Sequence, residues 1–365
     1  ALQIEPLGLL FALIAAVLWV ATTVYAIGYM RGHGEQHQTR FYAFFAIAIS
    51  ATMGVALAQN LFTLFLFYEL LTLSTYPLVT HAGTDEAKRG GRVYLGILMG
   101  TSMGFLLLAV IWTWHLAGTT GFHPGGILAG KTSPLVLGVL YALFAFGIGK
   151  AALMPFHRWL PAAMVAPTPV SALLHAVAVV KAGVFAILKI TIYIFGLDLL
   201  SGTGATTPIL WVAAITIIGA SLIALHQDNL KRRLAYSTIS QLSYVVLGAV
   251  LANAAGIAGA AVHIATHAVG KITLFFCAGA ILVAAHKTRV SELDGLGRQM
   301  PITMGAFLIA SLSIAGLPPT AGLWGKWYLS LGALDAGYGV LAGVLMLSTL
   351  LNIAYLLPIP LRAFF

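Results

Sequence analysis

About eleven apolar runs, each roughly 20 residues long, follow one another with short polar connections, and this limits the fold more than any motif does. Inside hydrocarbon, every backbone N–H and C=O must be satisfied within its own segment, so runs of this length are helices. They lie near 7–30, 41–58, 60–82, 92–117, 135–154, 170–196, 208–226, 234–252, 259–285, 301–330 and 338–358. Only 8% of residues are charged, against about 25% in soluble domains. The chain is therefore read as an all-α polytopic membrane protein with about eleven transmembrane helices. The first run is too long for a signal h-region and lacks a basic n-region, so it is read as a true span. The sequence starts at Ala1 without an initiator methionine, as in a processed chain or part of a longer one.

Charge is distributed unevenly. Arg31, Arg40, Lys88, Arg89, Arg92, Lys231, Arg232, Arg233, Lys287, Arg289, Arg298 and Arg362 fall in one set of alternate connections, against Lys131 alone in the other. The positive-inside rule then predicts an outside N-terminus, a cytoplasmic C-terminus and a multi-pass protein of the cell (inner) membrane. The net charge of +9 has this origin, so no nucleic-acid partner is expected. The single cysteine, Cys277, excludes a disulfide within the chain. No CxxC and no GxGxxG after a strand occurs, so no bound redox cofactor is expected.

Five lysines, Lys150, Lys181, Lys189, Lys271 and Lys326, and one acid, Glu69, sit inside the apolar runs, and no arginine does. Each such group costs roughly 2.5–3.5 kcal/mol at membrane depth, which marks them as functional. Lysine can shed its proton when desolvated and arginine cannot. A bundle that buries groups able to cycle between charged and neutral is suited to moving protons.

Two proline-glycine clusters interrupt spans. One runs from Gly147 and Gly149 through Pro155, Pro161, Pro167 and Pro169; the other is Gly316-Leu317-Pro318-Pro319-Thr320-Ala321-Gly322. Broken backbone at membrane depth is tolerated where it is buried in protein or lines a wet cavity. Each break carries a lysine, Lys150 or Lys326. In the ninth run His263, His267 and Lys271 are spaced i, i+4, i+8, which puts them on one helix face about 6 Å apart along the axis. Histidine titrates near physiological pH and suits a relay. The His-x-x-x-His spacing could also ligate a metal, but no carboxylate is near in sequence and no third ligand is evident, so no metal site is read.

The chain also repeats itself. Tyr68 to Tyr76 can be laid over Tyr236 to Tyr244, and each segment follows an asparagine-leucine pair at Asn60 or Asn229. Each is the second span of a five-span block whose fourth span is broken. The expected organisation is an N-terminal helix in 1–40, a five-helix repeat in 41–200 and a second in 201–365. An odd number of spans per block inverts the second copy relative to the first.

The segments Phe67-Tyr68-Glu69-Leu70-Leu71, Gly149-Lys150, Pro155-Phe156-His157-Arg158-Trp159-Leu160-Pro161, Ala166-Pro167-Thr168-Pro169-Val170-Ser171-Ala172-Leu173-Leu174-His175-Ala176, Val180-Lys181-Ala182-Gly183 and His263 to Lys271 closely resemble the antiporter-like subunits of respiratory complex I, membrane-bound hydrogenases and multi-subunit Mrp sodium/proton antiporters. The resemblance covers nearly the whole chain. Family members usually have about fourteen spans; this chain lacks two at the start and one at the end, as a short form or a fragment does.

The resemblance implies a proton relay of Glu69, Lys150, His157, His175, Lys181, His263, His267, Lys271 and Lys326. Glu69 is similar to the acid that pairs with the broken-helix lysine, here Lys150. Lys181 resembles the central relay, connected through His175 and the His263–Lys271 face, and Lys326 the terminal group. Lys189 matches no family role and is expected to snorkel at its helix end. Many complex I members carry glutamate where Lys326 stands, so lysine resembles the Mrp D-type subunit.

The leading reading is a proton-translocating subunit of a sodium/proton antiporter, with other membrane subunits, protons and Na+ as partners. The alternative is the corresponding subunit of complex I or a hydrogenase. A reading from another class is a non-conducting structural subunit. No self-contained catalytic site and no cofactor are read, and sequence leaves open whether sodium passes through this chain.

Overall fold

The computed structural model describes residues 2–365, and among these it is all-helical, without a named strand. The long helices are α1 (Pro6–Gly32), α2 (Gln38–Ala56), α3 (Leu61–Val79), α4 (Asp85–Ala117), α5 (Pro134–Gly147), α6 (Thr168–Phe195), α7 (Thr207–Leu225), α8 (Leu230–Val250), α9 (Ala254–Ala285), α10 (Pro301–Ala315), α11 (Gly322–Asp335) and α12 (Gly339–Leu356). Every expected span coincides with one of these or with a broken pair. Among the described residues, eight stretches are long and apolar enough to cross a membrane. The short α5 and α10 are the first halves of broken spans. Helix α8 is less apolar because it opens on Lys231, Arg232 and Arg233 and continues through serines and a glutamine.

The two halves are built alike at their second and third spans. Asn60 caps α3 by accepting the Thr63 N–H at 2.8 Å, and Asn229 caps α8 by accepting the Arg232 N–H at 3.0 Å. Each cap leads a two-stranded bridge to the residues after the following long helix: Leu61 N–H donates to Thr120 O and Leu230 N–H to Thr288 O, both at 2.9 Å. In the second half Asp228 tightens this strap by accepting from Ser291 N–H at 3.0 Å and Ser291 Oγ–H at 2.8 Å. Those two hydrogen bonds hold the Asp228 carboxyl below the usual carboxylate range.

Counting from the caps corrects the repeat's register. Tyr68 stands opposite Ser237, not Tyr236, because matching the two tyrosines slips the helices by one residue relative to their shared start.

Helix α6 is the centre of the bundle. It is buried along its whole apolar length, whereas α1 and α4 leave about two thirds of theirs exposed for lipid or other chains. Helices α1, α2, α3, α8 and α9 all pack on it. Two π-helical turns, Leu173–Val177 and Thr191–Phe195, interrupt its regular ladder. Such turns mark functional positions often enough to draw notice, and the first contains His175. At Gly183 a Cβ would stand 2.5 Å from Ala151 N and from the carbonyl carbon of Lys150. Glycine is thus required where α6 crosses the first break, two residues beyond Lys181.

Candidate functional site: a buried row of lysines and histidines

The first break begins where α5 stops at Gly147 and a single 3-10 turn, Gly149–Ala151, carries Lys150 into the core. Backbone groups freed by the break find partners in neighbouring side chains, as hydrocarbon demands. Trp159 Nε1–H donates to Gly149 O at 2.9 Å, and the Lys150 N–H donates to the Tyr68 hydroxyl at 3.1 Å. The Lys150 ammonium donates to Tyr68 O at 2.8 Å and Thr72 Oγ1 at 2.5 Å.

The expected Glu69–Lys150 ion pair is not closed. Among the described residues Glu69 forms no salt bridge, and both its carboxylate oxygens are buried without a hydrogen-bond partner. The reason is helical geometry. Tyr68 and Thr72 lie one turn apart on the face that meets Lys150, while Glu69 points about 100° round the helix from Tyr68. The two charges interact electrostatically but are held apart by the lysine's hydrogen bonds to the tyrosine and threonine.

At the centre, Lys181 Nζ lies 2.6 Å from His267 Nδ1, and both residues are buried. The His263 ring follows 5.8 Å from that of His267, and the edge of Tyr244 is 5.2 Å from His263. Lys326 Nζ sits 5.3 Å over the other side of this bridge, the Tyr244 ring. Its ammonium donates to Ala315 O at 2.8 Å and Thr349 Oγ1 at 3.0 Å. It therefore neutralises the carbonyl end of the half-helix α10, where the helix dipole favours a cation. Lys326 also lines a cavity of about 300 Å³ between α11 and α12. The structure thus joins Lys181, His267, His263 and Lys326 into one row, with Tyr244 as a member that sequence reading missed.

The other expected members are placed differently. Lys271 turns from the row towards α8, donating to Ser237 Oγ at 2.6 Å and Leu234 O at 3.2 Å. Ser237 in turn accepts from the Tyr355 hydroxyl at 3.0 Å. His175 is fully buried, packs against Phe275 with ring centroids 4.5 Å apart and the planes tilted by 35°, and has no hydrogen-bond partner at either nitrogen. Half-buried His157 stands 6.3 Å from the Tyr236 ring and makes no hydrogen bond with the row. Orphaned polar atoms also include Gln241 Nε2 and Oε1 and Ser311 Oγ.

Lys189 corrects the snorkelling expectation. It is 1% exposed and ion-paired to Glu5 at 2.9 Å, and it donates to Ala58 O at 2.7 Å and Ala56 O at 3.4 Å. This lysine clasps the start of α1 and the carbonyl end of α2 onto α6. Glu5 lies just before the first span and far from Lys189 in sequence, so no local signal announced the pair. Breaking one side of such a buried pair costs about 3–5 kcal/mol, because the other charge is left uncompensated. Glu5→Gln and Lys189→Met are each expected to lower the thermal midpoint of the purified protein. The double variant should lie well above the sum of the two losses; strict additivity would mean the two charges are not coupled.

Two broken spans, each with a buried lysine, around a fully enclosed helix tied by lysine to histidine define an antiporter-like polytopic membrane subunit. The family described as NADH:quinone oxidoreductase/Mrp antiporter, transmembrane, matches residues 58–352, and the chain belongs to that family. NADH-quinone oxidoreductase subunit N of Desulforudis audaxviator is 36% identical over 363 residues, covering 97% of this chain and 70% of that protein. Chloroplastic NAD(P)H-quinone oxidoreductase subunit 5 of Adiantum capillus-veneris is 32% identical over 88% of this chain, which spans only 45% of that relative. A chain of the Mrp complex from a Dietzia species superposes with TM-score 0.85 at 24% identity, over 97% of this chain and 66% of that one. A chain of Thermus thermophilus respiratory complex I with bound aureothin gives TM-score 0.81 at 25% identity, over 99% and 77%.

The D-type Mrp affiliation expected from Lys326 is not what these comparisons favour. Both named relatives are quinone oxidoreductase subunits, and the Mrp resemblance carries the fold alone. One residue type at one position is a weak discriminator beside a match along nearly the whole chain.

Proposed function

We propose that this chain translocates protons as an antiporter-like subunit of a quinone-oxidoreductase-type membrane complex, with other membrane subunits as its partners. The observation that carries this reading is the Lys181–His267 contact of 2.6 Å in the fully buried centre, continued through His263 and Tyr244 to Lys326. A desolvated ammonium touching an imidazole can hand over its proton, and a structural cation would instead be paired with an acid. Lys189, with Glu5, has that structural form; Lys181 does not. Glu69 and Lys150 are proposed to couple to the row by closing and opening their ion pair, and Lys271, His175 and His157 to act as side branches. The two five-helix blocks, 41–200 and 201–365, supply one broken span each, after the N-terminal helix in 1–40. The arginine- and lysine-rich ends are assigned to the cytoplasmic side of the inner membrane, leaving the start of α1 outside.

Purifying the complex from native membranes by an affinity tag on this chain tests the assignment. Co-purification of a peripheral arm with quinone reductase activity is expected. Recovery of small membrane subunits alone, with sodium-dependent proton exchange and no quinone reduction, would return the reading to the Mrp type.

A further inference from the structure

Helices α1 and α2 are joined by the short polar connection 33–37 and leave a groove of about 440 Å³ between them. Its α1 wall is Trp19, Thr23, Ile27 and Arg31, spaced i, i+4, i+8 and i+12, and α2 contributes Tyr42 and Ala46 among others. Steps of four residues keep to one helix face, so this wall runs about 18 Å from the helix end towards the middle of the membrane. Thr23 Oγ1–H donates to Trp19 O at 2.9 Å, so that hydroxyl makes no demand on an occupant.

The charge of the groove is all at its mouth. Arg31 is exposed there, and its guanidinium forms no salt bridge and no hydrogen bond. The nearest acid in sequence, Glu35, is taken by His33 at 3.3 Å and His81 at 3.8 Å, and Arg40 donates to His81 O at 3.4 Å. The Tyr42 hydroxyl, on the α2 side of the same groove, is enclosed by protein and has no hydrogen-bond partner. An unpaired guanidinium beside an orphaned hydroxyl suits an anion with several acceptor oxygens. The rest of that ligand must be apolar and long. One leaflet measures about 20 Å from head group to midplane, close to the length of the α1 wall. A transmembrane helix, about 10–12 Å across, needs a broader seat than a slot of this volume and length provides.

We infer that this groove seats one anionic phospholipid, with its phosphate on Arg31 and the Tyr42 hydroxyl and one acyl chain laid along Ile27, Thr23 and Trp19. The planar guanidinium can donate to two phosphate oxygens at once, and the Tyr42 O–H donates to a phosphate or ester oxygen. The chain then fills the seam of the α1–α2 hairpin and braces it from the lipid side.

The inference is independent of the proton-translocation reading, and its test reads binding alone. The assembled complex is reconstituted in phosphatidylcholine vesicles with a trace of phosphatidylglycerol carrying a diazirine at the end of one acyl chain. After irradiation the cross-links are mapped by peptide mass spectrometry. They are expected on Trp19 and Thr23, and to be displaced by unlabelled phosphatidylglycerol but not by more phosphatidylcholine. Arg31→Gln is expected to lower them roughly five- to tenfold, the effect of one basic residue at an anionic surface, and Arg31→Lys to restore most of them. Ala46 is exposed on α2, so Ala46→Phe fills the groove without entering the core. It is expected to abolish the cross-links while the thermal midpoint stays unchanged. Equal labelling by a phosphatidylcholine carrying the same diazirine, or labelling that neither Arg31→Gln nor Ala46→Phe alters, would mean bulk lipid passing the surface and would overturn the site. So would an unlabelled wild-type groove from which a photoreactive amino acid in place of Ala46 captures a neighbouring membrane subunit.

Discussion

His267→Gln is expected to leave the complex assembled and to slow its proton transport by roughly 10²–10⁴-fold, the usual contribution of one positioned acid–base group. Glutamine fills a similar volume and can still accept from the Lys181 ammonium, so the 2.6 Å contact can persist as a hydrogen bond. It cannot bind and release a proton near neutral pH. The substitution therefore removes one property, titration, from a site where packing is nearly conserved. His267 is almost fully enclosed where α9 packs against α6 and α8. Transport at more than about half the wild-type rate, with normal assembly, would remove His267 from the path.

Lys326→Arg is expected to have a comparably large effect for the complementary reason. Lys326 caps the carbonyl end of α10 through Ala315 O and reaches Thr349 Oγ1, and both contacts lie within a guanidinium's reach. The adjoining cavity of about 300 Å³ leaves room for the larger head group. If the residue served only as a helix cap, worth about 0.3–1 kcal/mol, arginine would serve as well. If it must discharge in each cycle, arginine blocks the last step, because it stays protonated under protein conditions.

Much of this arrangement was legible in the sequence. Hydropathy located all the spans because lipid leaves a helix no alternative, and proline with glycine marked both breaks because their backbones cannot continue one. Asn60 and Asn229 announced the repeat through capping chemistry, although side-chain matching misplaced its register by one residue. What escaped were relations between distant segments. Nothing local links Glu5 to Lys189 or Tyr244 to Lys326. Lys231 read as one more positive charge in a connection until the fold laid it against α6. The closed Glu69–Lys150 pair is expected from type and resemblance, whereas Glu69 lies off the face of α3, that of Tyr68 and Thr72, which Lys150 meets. The choice between quinone oxidoreductase and Mrp membership was also beyond a single lysine.

The central claim is that the buried lysines carry protons and do not merely balance charge. Its most direct measurement is proton transport by the assembled complex in sealed vesicles, comparing wild type with Lys326→Arg at equal complex content. The account predicts an arginine variant that assembles with an unchanged thermal midpoint and transports at roughly 1% of the wild-type rate or less. Wild-type transport with arginine at this position would contradict it, leaving Lys326 a structural cap and the row without an end.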